Sequence, residues 1–302
     1  MLVLNDRVTR RKFYDRAFVL LGILSLLIGI VTLLALLLDL AIDGVPRLSW
    51  QFLTSYPSRM PEKAGILSSW VGSILVMLLT ALSAIPLGIA AGVYLEEYAP
   101  KNWLTDIIEI NIANLAGVPS IIYGIMALGF FVYKLHLGQS LLTAGLTLAL
   151  LILPTVIIAT REALRTVPIH IREAACALGS TRWQTVRHFV LPSSFGGILT
   201  GIIIALSRAI GETAPLLTIG ALTFIAFLPD SPITTTFPFI NFSWILSPFT
   251  VLPIQMFNWT SRPQEEFHAN AAAAGLILMF ITLLMNAIAI YLRYSFRKRV
   301  KW

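Results

Sequence analysis

Six mostly apolar stretches of about 20 residues divide this chain, at roughly 17–38, 69–95, 112–133, 139–160, 196–225 and 269–292. Each is long enough to cross a hydrocarbon core as a helix, which rises about 1.5 Å per residue. Of 302 residues, 57% are hydrophobic and 12% charged, whereas soluble domains carry roughly a quarter charged residues. So much apolar surface cannot be hidden in a water-soluble core of this size. The expected fold is all-α: a polytopic integral membrane protein with six transmembrane helices. The chain divides into an N-terminal segment 1–16, one membrane domain 17–292 and a tail 293–302, with no linker-like tract or internal repeat.

Charge sets the expected orientation. The first run follows Arg7, Arg10, Arg11, Lys12 and Arg16 like a signal peptide's basic start. Its apolar stretch is too long, and no small-residue cleavage site precedes Asp39; a retained signal anchor is expected. Threading the chain through six spans puts sixteen Lys and Arg on one side and five on the other, with Arg208 inside a span. The richer side holds both termini, Lys101 and the 161–195 loop, and the positive-inside rule makes that side cytoplasmic. The net charge of +7 is thereby explained by topology and anionic lipid rather than by nucleic acid. A lone cysteine, Cys176, excludes an internal disulfide or a cysteine metal cluster.

The 161–195 loop reads Glu173-Ala174-Ala175, three residues, Gly179, nine residues, then Phe189-Val190-Leu191-Pro192. Glu and Ala favour helix, Gly179 suits the positive φ of a helix stop, and Ser180 or Thr181 can cap a second helix. The residues predict a helix–turn–helix on the cytoplasmic face. Taken alone, it could lie on the inner leaflet with Arg172, Arg182 and Arg187 toward headgroups, or be gripped by a soluble partner. The spacing resembles the EAA loop of bacterial ABC importer permeases, with Phe189 in place of Ile. The chain has no G-x-x-x-x-G-K-[ST] phosphate loop, so an ATPase driving it would be a separate subunit.

Within the fifth run, Ser207-Arg208-Ala209-Ile210-Gly211-Glu212-Thr213-Ala214-Pro215 places two charges four residues apart. Each costs about 2.5–3.5 kcal/mol at the bilayer centre on insertion scales, so such groups face a protein interior and mark transport routes. A mutually neutralised pair that merely lets the helix insert is the plainer reading. Arg before Glu is the weaker helical order, however, and a guanidinium beside Ser207 and Thr213 suits an oxyanion. In the third run, Gly117 and Pro119 imply either a pathway-lining break or a simple kink. Two external segments, 40–68 (Trp50, Phe52, Tyr56) and 226–268 (Phe237, Phe239, Trp244, Phe249, Phe257, Trp259), are read as an interfacial aromatic belt or as a rim for a soluble partner.

The run Arg161–Leu217, with Ser-Arg-Ala-Ile-Gly-Glu-Thr-Ala-Pro-Leu-Leu, resembles the PstA-type permeases of bacterial phosphate-specific ABC importers. Asn114–Gly124 and Leu252-Pro253-Ile254-Gln255 with Trp259 extend the resemblance over most of the chain beyond the N-terminal anchor. It implies a type I importer permease fold with cytoplasmic coupling helices, in the bacterial inner membrane. Implied partners are a PstC-like permease as heterodimer, two PstB-like ATPase subunits and a periplasmic or lipid-anchored phosphate-binding protein. ATP and magnesium would sit on the ATPase, with no cofactor on this chain. The implied substrate pathway is Arg208, Glu212, Ser207 and Thr213; the implied ATPase-coupling set is Glu173, Ala174, Ala175, Gly179, Leu191 and Pro192. By its residues alone Arg208 equally suits sulfate or molybdate, and a secondary anion transporter remains a further alternative. A membrane enzyme is disfavoured: His136, His170, His188 and His268 lie outside the apolar runs.

Overall fold

The computed structural model describes the backbone of residues 2–231 and 241–299, and the side chains of 11–231 and 241–295. Within them the chain is largely helical and forms no β-ladder, only an isolated bridge between Ser140 and Pro248. In order, the helices are α1 (Leu2–Gly44), α2 (Trp50–Thr54), α3 (Leu67–Val93), α4 (Trp103–Leu115), α5 (Ser120–Ala127) and α6 (Leu141–Arg165), followed by α7 (Ile169–Ala177), α8 (Arg182–Thr185), α9 (Leu191–Ala209), α10 (Ala214–Thr218), α11 (Leu252–Thr260) and α12 (Glu266–Arg299). π-helical turns prolong α3 over Tyr94–Tyr98 and α5 over Leu128–Lys134. A third, Val186–Val190, joins α8 to α9, so that Arg182–Ala209 is one continuous helix. The outer helices α1 and α12 continue through the boundaries expected at 16 and 293, because backbone hydrogen bonding does not stop where hydropathy does.

Among the described residues five helices are long and apolar enough to cross a membrane. The third expected span, 112–133, is instead a broken pair: α4 and α5 meet at 104°. Pro119 removes an N–H and holds Val118 extended, so the helix must end before it. Its last turn tightens as Gly117 and Val118 donate to Asn114 O and Leu115 O. The fifth run, expected over 196–225, ends as a helix at Ala209, and a short α10 resumes after Gly211-Glu212-Thr213.

The central pair is α3 against α6, with α9 on another side of α6 and α12 against α9 and α11. Val76, Leu79, Leu148, Ile152 and Val156 are buried between these helices, and Ile198, Ile202 and Ala205 seal α9 onto them. By contrast, α1 leaves Phe18, Leu26 and Leu33 exposed, a surface that only lipid or another membrane helix can cover.

The external aromatics form neither a belt nor an open rim in the main. Phe52, Phe249 and Trp259 are at most 2% exposed and Trp244 is buried; Trp50 and Phe257 do lie on the surface. Phe237 and Phe239 lie outside the described residues. Phe52, Ile66, Leu252, Trp259 and Phe267 pack into one apolar cluster that caps the bundle. With its amide assigned so that oxygen faces the donor and nitrogen the acceptor, fully buried Gln255 accepts from Trp259 Nε1 and donates to Thr223 O, each at 3.0 Å. Arg47 ties this cap to α12 through Asn270 Oδ1 and to the carbonyls of Pro61 and Glu62. Replacing Trp259 with Ala empties the cluster's centre and costs about 3–5 kcal/mol. Thermal unfolding of the detergent-solubilised protein will show a clear fall in midpoint, whereas Trp50→Ala, at an exposed site, stays within about 0.5 kcal/mol.

Candidate functional site

The hairpin at the end of α6 is built by local rules. α7 stops because Gly179 adopts φ +86°, where a side chain would be strained. Ser180 N–H then donates to Ala175 O at 3.0 Å and Gly179 N–H to Cys176 O at 2.9 Å, satisfying carbonyls the helix leaves open. Thr181 starts α8 with a capping box: its hydroxyl accepts from Gln184 N–H, and the Gln184 side chain accepts from Thr181 N–H. Thr181 rather than Ser180 is the cap.

Of the residues expected to couple to an ATPase, Glu173, Ala174 and Gly179 are exposed on the hairpin's outer surface. Ala175 is buried under α7, Leu191 is half-buried where α9 begins, and Pro192 sits exposed in α9's first turn. Leu178, 87% exposed, and Trp183, 57% exposed, project from the same hairpin. Large apolar side chains so exposed stand out on a hairpin tip that also carries the exposed Glu173.

Arg172 does not follow the alternative in which it lies toward headgroups. It turns inward and pairs with Glu97 at 2.7 Å. Beside that pair, Glu96 accepts from Arg165 at 3.0 Å and lies 3.5 Å from Arg161, whose guanidinium also pairs with Glu109. These carboxylates and guanidiniums tie the ends of α3 and α6 to the middle of α4. Sequence reading passed over Glu96, Glu97 and Glu109. The available signal was a doubled Glu at the end of an apolar run, in a chain whose 161–195 loop is rich in Arg.

About 40 Å from the hairpin along the continuous helix Arg182–Ala209 lies the second site. Arg208 occupies the last turn of α9 and Glu212 the link to α10, held by its N–H donating to Ala209 O at 3.2 Å. Arg208 Nε stands 3.7 Å from Glu212 Oε1, with side chains 49% and 19% exposed. That single approach is an ion pair but too long for a hydrogen bond. Among the described residues no hydrogen bond engages the Arg208 guanidinium, whose donors form a fork suited to an oxyanion.

Ser207 points elsewhere: its hydroxyl lies 2.6 Å from Asn286 Oδ1 on α12. Thr213 is half-exposed at the break. The other broken helix comes alongside, since α5 packs on α10 so closely that a Cβ on Gly124 would meet Pro215 Cα at 2.7 Å. Thus both interrupted spans meet next to Arg208 and Glu212. Freed backbone at such depth is tolerated only where protein or water satisfies it.

Residues 84–302 match the family described as "Binding-protein-dependent transport system inner membrane component". The chain is 34% identical over 283 residues to the "Probable ABC transporter permease protein YqgI" of Bacillus subtilis (strain 168), covering 92% of this chain and 95% of that protein. It is 32% identical over 300 residues to the "Phosphate transport system permease protein PstA" of Haemophilus influenzae, covering 98% of each. In fold it is similar to a bacterial ABC transporter involved in import of the acidic polysaccharide alginate, with TM-score 0.61 at 13% identity over 95% of this chain and 96% of that one. It also resembles the inward-facing MetNI methionine ABC transporter, with TM-score 0.57 at 16% identity over 75% and 93%. The protein is therefore a multi-pass membrane protein of the type I ABC importer permease fold, a member of the family of inner membrane components of binding-protein-dependent transport systems.

Proposed function

We propose that this chain is one permease of an ATP-driven importer for inorganic phosphate. The observation that carries the reading is the Arg208 guanidinium, without a hydrogen bond among the described residues, at the break of a membrane helix in a chain whose relatives include phosphate permeases matched along nearly their full length. Arg208 receives the anion through paired N–H donors. Glu212 holds the guanidinium in place between ions, prevents overly tight trapping and accepts a hydrogen bond from the P–OH of hydrogen phosphate, a donor that sulfate lacks at neutral pH. Thr213 lines the break, and Ser207 fixes the last turn of α9 against α12.

The partners of this reading are a PstC-like second permease, two PstB-like ATPases carrying ATP and magnesium, and a periplasmic or lipid-anchored phosphate-binding protein. Both termini and the α7–α8 hairpin face the cytoplasm, as the sixteen-to-five distribution of Lys and Arg supports. Closure of the ATPases on ATP draws the hairpins of the two permeases together. Because α8 and α9 are one helix, that displacement reaches Arg208 as motion of a rod, and the cavity opens outward to receive phosphate. Hydrolysis returns it inward.

The test is ATP hydrolysis by the reconstituted complex with its binding protein. Phosphate is expected to stimulate hydrolysis severalfold and sulfate not at all. Equal stimulation by sulfate would overturn the assignment to phosphate, and import without any ATPase would overturn the importer class.

A further inference from the structure

Only Thr166-Val167-Pro168 separates α6 from α7. Connections of a few residues are where helices hinge, because they absorb φ/ψ change. Arg172, one turn into α7, reaches back across this connection. One of its terminal nitrogens donates to Val167 O at 2.7 Å, and the other to Leu164 O at 3.0 Å and Glu97 Oε1 at 2.7 Å. Its Nε also donates to Glu97 Oε1 at 3.2 Å. The carbonyls of Leu164 and Val167 lie at and just beyond the C-terminal end of α6, where helices leave acceptors open and Arg side chains can satisfy them. A single guanidinium therefore caps α6, holds α7 and pins both to the π-helical end of α3.

The pair is sheltered, with side chains 9% exposed at Glu97 and 23% at Arg172. Beneath it Leu164, Val167 and Val190 form a small apolar cluster with Val93 and Ile171. Among the described residues it is the one ion pair that leaves α7; His170 and Glu173 pair only within that helix. The hairpin's other arm touches the same segment, as the Arg182 guanidinium lies 5.4 Å from the centroid of the Tyr98 ring. Arg161, Arg165, Glu96 and Glu109 bind α3, α4 and α6 to one another, and among the described residues none of them forms an ion pair with α7.

We infer that Arg172 and Glu97 are positioning residues forming a latch, which makes α7 and the cytoplasmic ends of α3 and α6 one lever. Displacement of α7 is then delivered to the membrane helices instead of being absorbed at residues 166–168. This rests on the reading of the α7–α8 hairpin as the ATPase dock. The latch stays closed throughout the transport cycle.

The experiment uses the complete complex of both permeases, ATPase and binding protein. Glu97→Gln and Arg172→Gln should assemble with normal ATPase content and still hydrolyse ATP, while phosphate imported per ATP falls about tenfold, within the usual range of coupling between sites. Glu97→Asp, which keeps the charge, should recover part of that ratio. In a Cys176→Ser background, Glu97→Cys with Arg172→Cys should be uncoupled until a short bis-methanethiosulfonate bridges them, each thiolate displacing methanesulfinate to form a disulfide; reducing those disulfides should uncouple them again. An unchanged import-to-ATP ratio in Glu97→Gln overturns the latch, as does a bridged pair that stays uncoupled. Loss of ATPase from a Glu97→Gln complex present at normal level also overturns it, because the pair would then shape the dock rather than transmit its motion. Should Glu97→Gln fail to accumulate, the bridged pair decides alone. Failure of the docking reading is separate: it appears as full ATPase content after disruption of Gly179.

Discussion

Arg208→Gln will assemble with its partners and reach the membrane normally, yet phosphate uptake will fall by about 10²–10⁴-fold. Gln is shorter but keeps a polar head, and it removes a charge the bilayer disfavours, so insertion should not suffer. The loss lies in recognition. Two charge-assisted hydrogen bonds of about 1.5–3 kcal/mol each disappear, and each 1.4 kcal/mol is a factor of ten. Glu212 is left without its cation and repels an arriving anion. The pair stands at 3.7 Å with Arg208 half exposed, a geometry with little structural investment, so the protein's thermal midpoint should barely move. Arg208→Lys separates charge from shape: it keeps the cation but not the fork, and should fall between wild type and Gln. Radiolabelled phosphate uptake in cells lacking the native permease, with membrane levels checked by blotting, decides it. Wild-type uptake by Arg208→Gln would remove Arg208 from the pathway.

The helical membrane fold, the hairpin and the Arg208–Glu212 pair were legible in the sequence because each depends on local spacing. Apolar runs report lipid burial, and a Gly followed by Ser-Thr reports a stop and a start. What escaped were features decided by partners far along the chain. Hydropathy counted 112–133 as one span because Gly117 and Pro119 barely lower an apolar average, although Pro119 enforces the 104° turn. Phe52 and Trp259 looked like surface aromatics because nothing near them in sequence announces a rigid cap; they meet at 6.0 Å between ring centroids from opposite ends of the chain. Arg172 looked like a headgroup ligand because Glu97, its partner, lies 75 residues earlier. Charge sign and helical position were readable there, but direction was not.

Gly179 offers the sharpest test of the hairpin, because its constraint is conformational and not steric. A Cβ placed there would meet no heavy atom within 4 Å, so size alone carries no penalty. The backbone, at φ +86°, does: left-handed geometry costs an L-residue about 1–2 kcal/mol, and more for a β-branched one. The expected order of ATPase co-purification is therefore Gly, then Asn, which tolerates positive φ, then Ala, with Val last. Gly179→Val should lose at least about tenfold of bound ATPase, since 1.4 kcal/mol suffices for that factor, and uptake should fall in parallel. If crowding against the partner were the cause, Asn and Val, similar in bulk, would fail together. If the hairpin had no docking role, all four would retain ATPase equally. The graded outcome follows because Gly179 sets the angle at which Leu178 and Trp183 are presented. The Ser180 N–H bond to Ala175 O survives only while that φ is kept. Without it α7 frays from its C-terminal end, and the hairpin loses its shape while the membrane helices above it remain folded.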